Sequence, residues 1–143
     1  VPWTVIFDVE FEPEFDRLAL EIRRELLAQA VLLEEVGPDL GRPRVDTLKG
    51  SKHANMKELR FDAGNGVWRV AFAFDPERKA ILLVAGDKSG VSQKRFYRAL
   101  LRKADERFDR RLAQLKERRE HDDATGKTRQ PASARTRKGS RSR

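Results

Sequence analysis

Cysteine is missing altogether from the 143 residues, and there are only two histidines, one tyrosine and one methionine. The lack of cysteine excludes disulfides and thiolate metal sites and fits a reducing compartment. Imidazole is available only at His53 and His121, and no carboxylates cluster at ligand spacing, so neither a metal nor another cofactor is expected. Long apolar runs are also missing. The longest, Ala80 to Ala85, is far too short to span a bilayer. The first residues have neither the basic nor the apolar stretch of a signal peptide. These absences lead to the expectation of a cytoplasmic protein with no membrane contact.

Basic residues are abundant. The chain has 31 Lys and Arg against 23 Asp and Glu, a net charge of +8. The charge is uneven: residues 1–36 carry −6, residues 37–120 carry +9 and residues 121–143 carry +5. A basic middle suggests a polyanion as substrate or partner.

Trp3, Val5 and Phe7 alternate with Thr4, Ile6 and Asp8, which is strand periodicity. Pro13, with Glu12, Glu14 and Asp16 around it, suits a first helical turn. Phe15, Leu18, Ile22, Leu26, Ala30 and Leu33 then form a helical stripe that Gly37-Pro38 ends. This segment is either one long helix or a hairpin of two. Residues 38–55 read as an ordered loop. Two alternating segments, 56–62 and 67–74, flank the turn signal Ala63-Gly64-Asn65-Gly66. A second turn, Asp75-Pro76-Glu77-Arg78, leads to the apolar run of a central strand buried on both faces. Ser92 caps a last helix over 92–119, with Glu106 and Arg110 as an i,i+4 pair. Residues 121–143 have no apolar residue larger than alanine or proline and are expected to form a disordered basic tail after a domain over 1–120. The expected class is α+β: an N-terminal strand and helix or helical hairpin, an antiparallel three-strand meander and a long C-terminal helix, with the helices on one sheet face.

The turn over 63–66 places Arg60 opposite Arg69, on the face away from Phe61, Trp68 and Phe72. Like charges across a ladder cost stability, so the pair reads either as a phosphate clamp or as two solvated arginines, one paired with Glu58. On an open face, neither arginine is expected to be needed for folding. Arg42, Arg44, Lys49 and Lys52 add charge before the meander, as RNA-backbone contacts. Lys49, Lys52, His53, Lys57 and Lys88 are expected to converge on one edge, where they either stabilise a phosphorus transition state or hold RNA backbone. His53, as an imidazole, is a general acid or base or an incidental loop histidine. Tyr97 either stacks on a base or belongs to the core.

Gly41-Arg42-Pro43, Leu48-Lys49-Gly50, Met56-Lys57-Glu58-Leu59-Arg60-Phe61, Trp68-Arg69-Val70-Ala71-Phe72, Gly86-Asp87-Lys88-Ser89 and Arg95-Phe96-Tyr97 together resemble the phage-derived, HigB-like branch of the RelE/HigB toxins. The resemblance covers roughly residues 2–118. It implies a microbial ribonuclease-like fold and the toxin half of a type II toxin–antitoxin pair. It further implies metal-free cleavage of messenger RNA on the ribosome, by attack of a ribose 2′-hydroxyl on the adjacent phosphate. The implied partner is a helix-turn-helix, HigA-like antitoxin, with operator DNA bound only through that complex. Arg60, Arg69, Lys88 and Tyr97 fall at matching positions. Glu58 departs, since RelE carries a lysine there. Glu58 either orients Arg60 or accepts the proton, with His53 and Lys57 as rival bases. The competing class is a ParE-like gyrase inhibitor or a non-catalytic RNA- or ribosome-binding module.

Overall fold

The computed structural model describes residues 2–125. Strand β1 (Thr4–Phe7) leads to a short helix α1 (Phe11–Asp16) and a longer α2 (Leu20–Val36). A short strand β2 (Val45–Thr47) precedes the meander β3 (Lys57–Ala63), β4 (Gly66–Phe74) and β5 (Lys79–Asp87), and helix α3 (Gln93–Thr125) follows. The N-terminal helical segment is therefore two helices. The segment expected to be loop contains β2, which pairs antiparallel with β3. The sheet order is β1-β5-β4-β3-β2, and β1 lies parallel to β5.

The hairpin register matches the turn signal. Gly64 and Asn65 form the tip, Ala63 pairs with Gly66, and Arg60 stands opposite Arg69. At the second turn the Asp75 carboxylate accepts from the backbone N–H groups of Glu77 and Lys79. Ser92 caps α3, its hydroxyl accepting from Arg95 N–H at 3.4 Å.

The expectation of helices on one face is overturned. Helices α1 and α2 cover one face, packing Phe11, Phe15, Leu26 and Leu33 on Leu59, Phe61, Val70 and Phe72. Helix α3 covers the other, packing Leu100, Ala104 and Phe108 on Ala71, Ala73, Ile81 and Leu83. The physical reason lies in β5. A strand apolar on both faces needs cover on both, and the small side chains of Ala71 and Ala73 leave room for a helix to approach.

Strand β5 also holds an extra residue. Ala71 pairs with Val84 but Phe72 pairs with Leu82, so Leu83 is bulged and both Leu83 and Val84 pack in the α3 layer. Helix α3 runs to Thr125, five residues past the expected end of the domain, and spans roughly 50 Å. The rest of the expected tail, residues 126–143, lies outside the described residues. The expected Glu106–Arg110 pair is replaced by a longer reach: Arg110 donates to Asp8 at 2.8 Å and to Glu10 at 2.7 Å.

Gly37 ends α2 with φ of 69°, and a Cβ there would sit 2.3 Å from the Trp3 indole. That ring packs edge-on against Phe74, with the Arg78 guanidinium over its face. Gly37→Ala is expected to destabilise by about 1–3 kcal/mol through strain and overpacking. An unchanged denaturation midpoint would show that Trp3 is free to move aside.

Candidate active site

Alternation along β3 and β4 sends Glu58, Arg60 and Arg69 toward the α3 side of the sheet, opposite Leu59, Phe61 and Trp68. Helix α3 begins there and brings Tyr97 over them. The Tyr97 hydroxyl donates to Glu58 Oε1 at 2.9 Å. Arg69 Nε donates to the Tyr97 oxygen at 3.3 Å and lies 3.9 Å from Glu58 Oε1. Arg69 Nη1 also donates to the Trp68 carbonyl at 2.9 Å.

The face on which the arginine pair was expected to be open is thus roofed by α3, and the two arginines are not equivalent. Arg69 is 6% exposed and bonded to Tyr97 and the Trp68 carbonyl. The Arg60 side chain is 33% exposed, and its Nη1 lies 3.6 Å from Asp46 on β2. The buried Glu58 and Arg69 instead form a triad with the half-buried Tyr97, a carboxyl, a guanidinium and a phenol.

Its electrostatics follow from that burial. Desolvation pushes the Glu58 carboxyl above the ordinary glutamate range, and the Tyr97 hydrogen bond, Arg69 and Arg60 only partly oppose it. Burial likewise raises the Tyr97 phenol. A carboxyl with a raised pKa is better matched to proton transfer near neutrality than an ordinary glutamate.

The triad opens on one side into a cleft of about 330 Å³, lined by Glu58 and Tyr97 with Arg42, Asp46, Lys49 and Gln93. Arg42 donates to Asp46 at 2.9 Å, and this hydrogen bond holds the Asp46 carboxyl below its usual range. Lys88, leaving β5, puts its Nζ 5.9 Å from the Tyr97 ring centroid. Arg44 is exposed beside the cleft strands, and its carbonyl accepts from Arg60 N–H.

The expected convergence of Lys49, Lys52, Lys57, Lys88 and His53 on one edge does not occur. Lys57 follows the Leu59 side of β3, away from Glu58. His53 Nε2 lies 2.8 Å from Asp109 Oδ1, and Lys52 Nζ lies 2.7 Å from Asp109 Oδ2. Asp109 is twelve residues beyond Tyr97 on α3, roughly 18 Å along the axis. Asp105 binds the Ser51 hydroxyl, so two acids of α3 hold the loop that follows Lys49. The Lys52 hydrogen bond leads the causes that hold Asp109 below its usual range, and Asp109 raises Lys52 in return.

Sequence reasoning missed Asp46, Gln93, Asp105 and Asp109. Asp46 had one local signal, its i,i+4 spacing from Arg42; Asp105 and Asp109 meet their partners, and Gln93 reaches the cleft, only through packing. Among the described residues no group of three or more His, Cys, Asp or Glu is placed to hold a metal ion. No described helix is long and apolar enough to cross a membrane.

The fold is that of a RelE-like toxin. A solved structure of a mutant E. coli toxin RelE in the free state matches with a TM-score of 0.50 over 71% of this chain and 95% of that one, at 14% identity. The family described as phage derived protein Gp49-like (DUF891) matches residues 13–109. Two Mycobacterium tuberculosis H37Rv proteins, both toxins by name, are similar. HigB2 is 44% identical over 119 residues, 82% of this chain, and the chain spans 58% of that relative's length. HigB3 is 45% identical over 105 residues, 71% of this chain and 90% of the relative. The chain belongs to the Gp49-like, phage-derived branch of the RelE/HigB toxin superfamily of type II toxin–antitoxin systems.

Proposed function

We propose that this toxin is a cytoplasmic endoribonuclease that cuts messenger RNA on the ribosome without a metal ion, and that a helix-turn-helix, HigA-like antitoxin restrains it and carries the complex to operator DNA. The observation that supports this reading best is the buried Glu58 carboxyl, held by Tyr97 and Arg69 in the wall of a cleft bearing Arg42 and Lys49. In the proposed reaction Glu58 takes the proton of a ribose 2′-hydroxyl. The 2′-oxygen attacks the adjacent phosphorus, and the bond to the 5′-oxygen breaks. The products are a 2′,3′-cyclic phosphate and a 5′-hydroxyl. Lys88 or the Tyr97 hydroxyl supplies the leaving oxygen's proton.

The two arginines divide the work. Arg69 positions Tyr97 and Glu58 from below. Arg60, with Arg42 and Lys49, meets the phosphate charge that grows in the transition state. Arg60→Ala is therefore expected to lower cleavage by roughly tenfold to a hundredfold, as for loss of one charge-stabilising donor, and to shift stability by no more than about 0.5 kcal/mol. Primer extension on induced transcripts and a thermal midpoint measure both. Wild-type cleavage by the variant would remove Arg60 from the mechanism.

One observation favours a second reading, in which the chain binds without cutting. Tyr97 bridges Arg69 and Glu58 by hydrogen bonds beneath α3, and Arg69 also bonds the Trp68 carbonyl, as in a structural polar network. Transcript ends mapped after induction separate the two. New ends inside translated messages support the nuclease; intact transcripts with lost gyrase function support a ParE-like inhibitor.

A further inference from the structure

We propose that Asp105 and Asp109 on α3 are positioning residues for the cleavage reaction: by clasping the turn of Ser51, Lys52 and His53 they set Lys49 in the wall of the cleft that Glu58 and Tyr97 also line. The inference takes the reaction from the nuclease reading, and the residues that hold the cleft from the geometry.

The loop between β2 and β3 carries a cation to the cleft, but its backbone secures only its base. Leu48 N–H donates to the Met56 carbonyl at 2.9 Å and Met56 N–H to the His53 carbonyl at 3.1 Å. Leu48 is buried in the α3 layer, whereas Lys49 and Gly50 are exposed. Gly50 turns the chain with φ of 97°, and a Cβ there would lie 3.1 Å from Leu101 on α3. The loop therefore runs close over the helix immediately after Lys49.

Side chains of α3 hold its outer turn. Asp105 Oδ1 accepts from the Ser51 hydroxyl, and Oδ2 accepts from Lys52 N–H at 3.3 Å. The same Ser51 oxygen accepts from His53 N–H at 2.9 Å. One turn further along the helix, Asp109 places one oxygen against His53 Nε2 and the other against Lys52 Nζ. The His53 ring meets Phe108 edge-on, with centroids 4.9 Å apart.

Stability alone does not account for this clasp. The side chains of Lys52 and Asp109 are 61% and 41% exposed, and an ion pair that open adds little. Two acids near a cleft for a polyanion also weaken its attraction. What the arrangement secures is spacing. Tyr97, Leu101, Asp105 and Asp109 recur every four residues and form a single ridge of α3. The ridge that brings Tyr97 to Glu58 also fixes the loop bearing Lys49. One helix thus sets both walls of the cleft, and a misplacement of about 1 Å in a charge-stabilising group costs up to roughly a hundredfold in rate.

The test is a double-mutant cycle in the full chain, read as kcat and KM for cleavage of a message on ribosomes programmed with it. Asp105→Ala and Asp109→Ala are each expected to lower kcat by roughly threefold to tenfold, with KM within about twofold of wild type and a thermal midpoint well above the assay temperature. Asp105→Asn, which keeps an oxygen for the Ser51 hydroxyl, should recover most of the loss. In a Lys49→Ala background Asp105→Ala should add less than about twofold, because the cation it positions is gone. The Lys52 and His53 amides of free Asp105→Ala should exchange at least about tenfold faster than in wild type. Asp109→Ala, which removes a half-exposed pair, carries the cycle if Asp105→Ala does not fold. Equal losses with and without Lys49 overturn the proposal. So does wild-type kcat in a chain lacking both acids, or exchange unchanged by Asp105→Ala. A wild-type chain that cuts no message removes the nuclease reading and the positioning role with it; a wild-type chain that cuts alongside fully active variants removes the positioning role alone.

Discussion

Glu58→Gln is expected to lower transcript cleavage by two or more orders of magnitude, the usual range for loss of a general base. The amide keeps the size of the carboxyl and an oxygen to accept the Tyr97 hydroxyl, but it cannot take a proton. The fold should survive, and the direction of the pKa shift gives the reason. Glu58 is raised above the ordinary 4.5 because burial favours its neutral form more than Tyr97, Arg69 and Arg60 together favour the anion. Its stabilising contribution is thus complete below the unfolded-state pKa and is lost as pH rises through the raised folded value. A permanently neutral glutamine escapes that loss, so the variant should be no less stable than the wild type at neutral pH. The same shift predicts that the acid limb of the cleavage rate lies above 4.5. Undiminished cleavage by Glu58→Gln would rule out Glu58 as the base. Cleavage lost together with the thermal transition would mark the triad as structural.

Arg107→Ala carries the largest expected effect on stability. The arginine is 5% exposed and ties three elements together. It donates to Glu14 Oε1 at 2.9 Å and Oε2 at 2.6 Å, and to the bulged Leu83 carbonyl at 2.7 Å. Its Nε lies 3.3 Å from Glu10 and 4.0 Å from the buried Asp8. Truncation leaves Glu14 and the Leu83 carbonyl without this donor, takes a nearby cation from the buried Asp8, and is expected to cost about 3–5 kcal/mol. That corresponds to a midpoint lowered by roughly 10–20 °C. Arg107→Lys should rescue only part of it, because an ammonium cannot grip a carboxylate with two parallel bonds. The Arg107 hydrogen bond leads the causes that hold the Glu14 carboxyl below its ordinary value. That contribution is present above the unfolded pKa and is lost as pH falls through the lowered folded one. Arg107→Ala should therefore also flatten the acid side of the stability profile. As a control, Arg118→Ala removes an exposed contact with Glu77 at 3.6 Å and should cost at most about 1 kcal/mol. Equal midpoints for Arg107→Ala and wild type would show that the network contributes nothing.

Much of this architecture was legible along the chain. Spacing alone placed the hairpin tip and set Arg60 opposite Arg69, because a two-residue turn fixes every later pair and a period of two fixes the side. The apolar faces of α2 and α3, the Ser92 cap and the burial of β5 on both faces follow from equally short-range patterns. The signs of the two-layer cover were present too: an all-apolar β5, small Ala71 and Ala73, and an arginine at position 107 inside the apolar stripe of Leu100, Ala104, Phe108 and Leu115. Yet those signs have no local partner to point to. What roofs Arg69, which acids draw His53 and Lys52 away from the cleft, and which carboxylate holds Arg107 depend on residues 28 to 93 positions apart. Periodicity reports hydrogen bonds and burial within one element, and so the sequence by itself determined the elements, their faces and the hairpin register. Contacts between elements are selected by the packing of whole layers. Only the tertiary structure decided that Arg69 lies buried against Glu58 and Tyr97 while Arg60 remains half-exposed on the Asp46 side.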